Sequence, residues 1–161
     1  MTSHRLTQGT PPANVAAANA LAVDLERIVM GSVALTTLAL AGSGAGFELT
    51  FTQWRALLVL GETDDGARIG EVAARVRVTL PATSRLLRRL ERRGLTALAV
   101  DDQDRRATRA RLTDHGRAVR EAILAYRRAA IMDLARVLPE PGLVSLADGL
   151  RAIAVELDRF V

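Results

Sequence analysis

The sequence predicts a mainly α fold carrying one small β-hairpin. Apolar residues recur every three or four positions over most of the chain, and the period falls to two only between Leu95 and Leu112. The interior is aliphatic, since 49% of the 161 residues are hydrophobic but only 3% aromatic. That length is about one domain's worth, enough for a core without covalent staples. Cysteine is absent, which excludes disulfides, zinc knuckles and thiol catalysis together. Every one of the 22 basic side chains is arginine, a bias that a GC-rich genome also produces, so the bias itself carries no functional meaning. Their placement does: residues 68–128 hold 16 arginines against seven carboxylates, a net charge of +9 inside a chain of net +4. A single-sign segment of this kind attracts a polyanion.

Residues 1–13 are polar, with Gly9, Pro11 and Pro12, and read as a flexible tail rather than a signal peptide. Residues 14–41 form one long helix, with Leu21, Leu25, Ile28, Ser32 and Leu35 in one row. Residues 28–47 are 20 positions without a charge, but Gly42, Gly44 and Gly46 end the helix and leave roughly 14 apolar helical residues, short of a span. The expectation is a helix buried in a protein interface, with no membrane partner. Thr52 is the expected N-cap of a short helix over residues 53–60, with Trp54, Leu57 and Leu58 in the core. Met30, Met132 and Tyr126 are also expected as core. Residues 61–66 read as a turn-rich break.

Residues 69–76 form a compact helix, and a tight connection through Arg77 and Val78 leads to a second one. The second has Thr79 as N-cap, Pro81 in a first turn that lacks amide partners anyway, and Gly94 placed to end it in the left-handed conformation. Thr83, Leu86, Leu87 and Leu90 share one face, while Pro81, Arg85, Arg88 and Arg92 lie opposite with Ala82 and Arg89 beside them. Strands over 95–100 and 107–112 then flank a polar turn tipped by Arg105 and Arg106. Thr113 caps a long helix to about Leu138, and Pro139 and Pro141 stop it. In the last helix Leu143, Leu146, Leu150, Ile153, Leu157 and Phe160 are spaced 3, 4, 3, 4 and 3, a seam that needs a partner helix.

Two short helices, the second basic on its outer face, followed by an arginine-tipped hairpin make a winged helix-turn-helix with helical dimerisation arms at both ends. Such a helix face fits the major groove of duplex DNA, where arginine donates in parallel to guanine, and the hairpin tip fits a minor groove. The stretch Leu49-Thr50-Phe51-Thr52-Gln53-Trp54, the segment Val78-Thr79-Leu80-Pro81-Ala82-Thr83-Ser84-Arg85 and the hinge Leu90-Glu91-Arg92-Arg93-Gly94-Leu95 carry a further signal. With Asp101-Asp102-Gln103-Asp104-Arg105-Arg106 running on to Leu112-Thr113-Asp114-His115-Gly116, they resemble the MarR family of bacterial transcription regulators. The resemblance implies a cytoplasmic homodimer that reads pseudo-palindromic DNA, usually represses, and loosens when a small-molecule effector binds between its arms and its DNA-binding parts.

Carried over by motif, Arg77, Thr79, Pro81, Ala82, Ser84, Arg85 and Arg89 meet DNA from the helix-turn-helix, Arg105 and Arg106 meet it from the wing, and Asp104 braces one of that pair. Two departures stand out. Arg88 occupies a position where many members of the family have an aspartate within reach of the wing arginine. The first wing strand carries Leu98 and Ala99 where basic residues are common, which moves part of the phosphate contact to Arg109 and Arg111. Dimerisation falls to Leu21, Leu25, Ile28, Leu143, Leu146, Leu150, Ile153, Leu157 and Phe160. The division is then residues 1–13 tail, 14–47 first arm, 48–113 winged helix and 114–161 second arm. No catalytic constellation, metal site or cofactor is expected, since His4 and His115 have no second ligand at metal spacing and Gly42-x-Gly44-x-Gly46 follows a helix rather than a strand. A dimeric winged-helix module that binds protein and reads no DNA is the alternative.

Overall fold

The computed structural model describes residues 14–42 and 49–158, and it is mainly helical with one small sheet. The elements run α1 (Val15–Gly42), α2 (Phe51–Leu60), β1 (Ala67–Arg68), α3 (Ile69–Val76), α4 (Leu80–Arg92), β2 (Thr96–Val100), β3 (Thr108–Leu112), α5 (Asp114–Ala135) and α6 (Glu140–Asp158). The expected helix, helix, strand, wing, strand order is present. The sheet has a third strand that the sequence pattern hid: β1 lies antiparallel to β3, with Ala67 opposite Ala110 and Arg68 opposite Arg109. Two residues are too few to show any period. β2 and β3 pair from Thr96 opposite Leu112 to Val100 opposite Thr108.

The core sits where α2 crosses the helix-turn-helix and the sheet. Trp54, Leu57 and Leu60 of α2 meet Val72 and Val76 of α3, Leu87 and Leu90 of α4, Leu95, Ala110 and Leu112 beside or within the sheet, and Val119 and Ile123 of α5. Each leucine removed from water here contributes about 1.5–3 kcal/mol, so these few positions dominate the stability of the winged helix. The helix start of α2 differs from the sequence expectation. Thr50, not Thr52, is the N-cap: its hydroxyl accepts from Gln53 N while Gln53 Oε1 accepts from Thr50 N, a reciprocal box that starts the helix two residues earlier.

α1 is long and apolar enough to cross a membrane by length and composition alone, with a mean hydropathy of 1.4. Asp24, Glu26 and Arg27 interrupt it, and its C-terminal half packs on the chain: Thr36, Ala39 and Leu40 are buried, and Arg127 of α5 donates to Ser32 Oγ at 3.1 Å. Leu21, Ile28, Leu146 and Leu150, expected in a dimer interface, are exposed in the single chain, and Leu25, Leu143 and Ile153 are half-buried. The Leu157 side chain and Phe160 lie outside the described residues, as do His4 and the glycines of 43–48. Met30, Met132 and Tyr126 are also exposed, so of the four larger side chains expected in the core only Trp54 is there. Sequence period marks a face as apolar without saying which chain covers it.

α5 starts against the sheet through a contact that admits no side chain. Thr113 Oγ1 accepts from Gly116 N at 3.0 Å and donates to Gly94 O, drawing the first turn of α5 onto the end of α4. A Cβ on Gly116 would lie 2.0 Å from the Leu95 carbonyl oxygen. Gly116→Ala is therefore expected to destabilise the fold by about 1–3 kcal/mol in urea unfolding, with the backbone of residue 95 forced to shift. Unchanged stability would show that this turn is not held as described.

Candidate nucleic-acid interface

The helix-turn-helix is positioned from beneath by its own apolar face. Thr83, Leu87 and Leu90 are fully buried, whereas Pro81, Arg85, Arg88, Arg89 and Arg92 are exposed, as the helical period requires. Thr79 stands at the N-cap in extended backbone without a side-chain cap bond, and Gly94 lies at φ +71°, the left-handed position expected of it. Ala82 and Ser84 are half-buried. The turn between the two helices is tighter than an ordinary residue favours: Arg77 has φ 55° and ψ 47°, a left-handed conformation that glycine usually fills. It is held there by α2. Arg55 donates to the carbonyls of Arg75 at 2.8 Å and Val76 at 3.2 Å, the last turn of α3, and Arg75 pairs with Glu62 just past the end of α2.

The wing is built on Asp101. Its side chain is about 1% exposed and takes five hydrogen bonds: Arg68 Nε at 3.1 Å and Nη2 at 2.9 Å, Arg109 Nε at 2.8 Å, and the backbone N–H groups of Gln103 and Asp104 at 3.0 Å each. The Arg68 guanidinium first, then Arg109 and the two amides, hold this carboxyl well below the usual range for an aspartate, against the opposing effect of burial. Asp101 N also donates to Ala107 O, closing the loop.

This corrects two expectations. Asp104 does not brace an arginine side chain; its Oδ1 accepts the backbone N–H of Arg106 at 3.0 Å and shapes the loop itself. The bracing carboxylate lies three residues earlier, and only the fold brings Arg68 to it. Arg109 is not free for phosphate either, being spent on Asp101 and Gly66 O, whereas Arg111 gives its Nε to Asp65 O at 3.2 Å and stays exposed outside the ion pairs of the described residues. Glu91 ties α4 to the wing, its Oε1 accepting from Leu98 N at 3.0 Å.

What remains is a face of unneutralised cations. Arg85, Arg88, Arg89 and Arg92 on α4 and Arg105 and Arg106 at the wing tip are exposed and join none of the ion pairs among the described residues. Arg77 is exposed beside them at the turn. The structure places Thr79, Pro81, Ala82, Ser84, Arg85 and Arg89 at the start of or along α4, Arg77 in the turn before it, and Arg105 and Arg106 in the loop between β2 and β3. It adds Arg55, Arg68, Glu91 and Asp101 as residues that position them. None of the four is marked by a local motif, since each acts on a partner 7 to 33 positions away.

Because the Asp101 carboxyl is held low, the stability it supplies is fully present above about pH 4, the value of a free aspartate, and is lost as pH falls further. Asp101→Asn is expected to flatten the acid limb of the stability–pH profile and to lower the thermal midpoint at pH 7. An identical acid limb in variant and wild type would contradict this account of the wing.

Residues 47–107 match the model of the MarR family. No curated protein matches the sequence. Among solved structures, a MarR family protein from Bacillus stearothermophilus is 22% identical with a TM-score of 0.79, over 91% of this chain and 99% of its own. FabT from Streptococcus pneumoniae, solved in complex with DNA, is 21% identical with a TM-score of 0.74, over 89% and 99%. CouR from Rhodococcus jostii RHA1, bound to p-coumaroyl-CoA, is 25% identical with a TM-score of 0.61, over 83% and 91%. Residues 47–107, from α2 through the helix-turn-helix to the wing loop, thus match the MarR family model, and the fold of nearly the whole chain is similar to that of these solved structures.

Proposed function

We propose that this protein is a sequence-specific regulator that binds double-stranded DNA as a homodimer and represses from an inverted-repeat operator. The observation that carries the reading is the exposed row of arginines on α4 and at the wing tip, which joins no ion pair among the described residues. A surface salt-bridged for its own sake would pair them. FabT was solved with DNA, and that relative shares the fold. In this reading Thr79, Pro81, Ala82, Ser84 and Arg85 face bases at the N-terminal end of α4, while Arg77 and Arg89 contact the backbone. Arg105 and Arg106 enter a minor groove, whose narrow walls deepen the negative potential.

The arms, residues 14–47 and 114–161, supply the dimer through the apolar residues that the single chain leaves exposed on α1 and α6. A two-fold axis through them sets the recognition helices about 34–36 Å apart, one helical turn of DNA. Release by a small effector is supported by CouR, which was solved with p-coumaroyl-CoA. A ligand that favours one arrangement of the arms weakens both half-sites together. The reading places the protein in the cytoplasm, with DNA and its own second copy as partners and with neither membrane nor cofactor.

Selection from a random duplex library tests the reading: recovery of an inverted repeat with half-sites one turn apart is expected. Enrichment of no sequence would favour the protein-binding module instead. On the selected duplex Arg85→Ala is expected to cost about 1–3 kcal/mol and markedly less on random DNA. Equal loss on both would make Arg85 a phosphate contact. Arg105→Ala or Arg106→Ala should weaken all duplexes and reduce the salt dependence of binding, and an unaltered slope would remove the wing from the interface.

A further inference from the structure

The turn that launches α4 carries an arginine in a conformation that suits glycine. Helix-turn-helix connections often contain glycine, and here the left-handed position is Arg77, at φ 55° and ψ 47°. L-residues enter that basin rarely, because Cβ crowds the following carbonyl. Thr79, the first of the residues read as facing bases, comes two positions later, so the backbone angles of Arg77 set the direction in which α4 leaves.

Its neighbours hold it there. The last four carbonyls of a helix have no amide partner within it. At the end of α3, Ala73 O accepts from Val78 N at 3.1 Å and Ala74 O from Arg77 N at 3.3 Å, the paired bonds made by a left-handed residue after a helix. The other two, Arg75 O and Val76 O, are taken by Arg55 of α2, through Nη2 at 2.8 Å and Nη1 at 3.2 Å. One guanidinium thus bridges the last two carbonyls before the left-handed residue, which suits the flat fork of arginine and not a compact ammonium. Its charge also lies at the electronegative end of the helix. Arg75 is gripped a second time through its side chain, which pairs with Glu62 beyond the end of α2. α2 is itself anchored on both sides of Arg55, since Trp54, Ala56 and Leu57 are buried.

We propose that Arg55 is a positioning residue for sequence reading: by holding Arg77 in the left-handed conformation it fixes the angle at which α4 meets the bases, without touching DNA itself. The proposal rests on the DNA-binding reading and deepens it, because it assigns part of the specificity to a residue of α2. Arg55 is half-buried with both terminal nitrogens bound to carbonyls, so it is not one of the cations offered to phosphate. Without the clamp the exposed arginines keep their charge but α4 swings, so binding that depends on base contacts falls and binding that depends on charge alone persists. Arg77→Gly removes the steric reason for the clamp, since glycine enters the left-handed region freely.

The test uses the full chain as wild type, Arg55→Met, Arg77→Gly and the double variant, on a selected operator duplex and a random duplex of equal length. Arg55→Met keeps an unbranched stem and loses the donors; it is expected to weaken operator binding about tenfold and random binding less than about twofold, with the salt slope unchanged. Arg77→Gly removes a backbone contact on both duplexes, and in its background Arg55→Met is expected to cost the operator less than about threefold. Arg55→Lys keeps the charge without the fork and is expected to behave like Arg55→Met. In the DNA-free protein Arg55→Met is expected to speed hydrogen exchange at the Arg77 and Val78 amides and leave Leu57 and Leu87 unchanged. Equal loss on both duplexes would overturn the proposal, by making the clamp a matter of stability alone. A slope reduced by about 0.9 per protomer would overturn it by making Arg55 a phosphate contact, and an undiminished cost in the Arg77→Gly background would detach Arg55 from the turn. If the wild type binds neither duplex, the DNA reading falls and this role with it, while the exchange rates still report whether Arg55 holds the turn.

Discussion

One buried carboxylate organises the wing of this protein. Asp101 gathers the guanidinium groups of Arg68 and Arg109 and two backbone amides of the wing loop, so β1, β3 and the hairpin are fixed at a common point. Breaking a buried pair by removing one partner costs far more than the pair contributes, because the remaining charges stay behind uncompensated. The arrangement separates two kinds of arginine in a chain that has no lysine. Arg68 and Arg109 are consumed inside the fold, and those on α4 and at the wing tip are exposed and join no ion pair among the described residues.

A second constraint comes from α2, the element that touches both the arms and the helix-turn-helix. It packs on α1 and α5 on one side and on α3 and α4 on the other. Trp54 and Leu57 supply the apolar contact, and Arg55 fastens the C-terminal carbonyls of α3 just before the strained turn at Arg77. A left-handed arginine persists only where its surroundings over-determine it, and such strain tends to gather at functional sites. The recognition helix therefore leaves that turn in a direction set by α2.

Much of this was legible in the sequence because its signals are local and periodic. The amphipathic face of α4, its start at Thr79 and its stop at Gly94, and the cap of α5 at Thr113 all follow from side-chain spacing and backbone preference within a few residues. The exposed arginines of α4 followed from the same wheel. What escaped was long-range or too short to have a period. β1 has two residues and exists only because β3 lies beside it. Asp101 and Asp104 sit in one acidic turn and look alike, and only the arrival of Arg68 from 33 residues away decides which is buried. Arg109 looks as available as Arg105 and Arg106 until Asp101 and the loop carbonyl of Gly66 are in place. Met30, Tyr126 and Met132 show the converse, apolar residues whose period predicts burial and whose cover is not in the single chain.

The central claim is that α4 occupies a major groove while the wing enters the neighbouring minor groove, twice, about a two-fold axis. Dimethyl sulfate protection on a bound duplex reads both at once, because it methylates guanine at N7 on the major-groove edge and adenine at N3 in the minor groove. The account predicts two patches of N7 protection centred about 10–10.5 base pairs apart, each flanked on its outer side by protected adenine N3. Retarded duplex with guanine N7 uniformly reactive would contradict it, since the arginine face would then be binding charge without entering the groove.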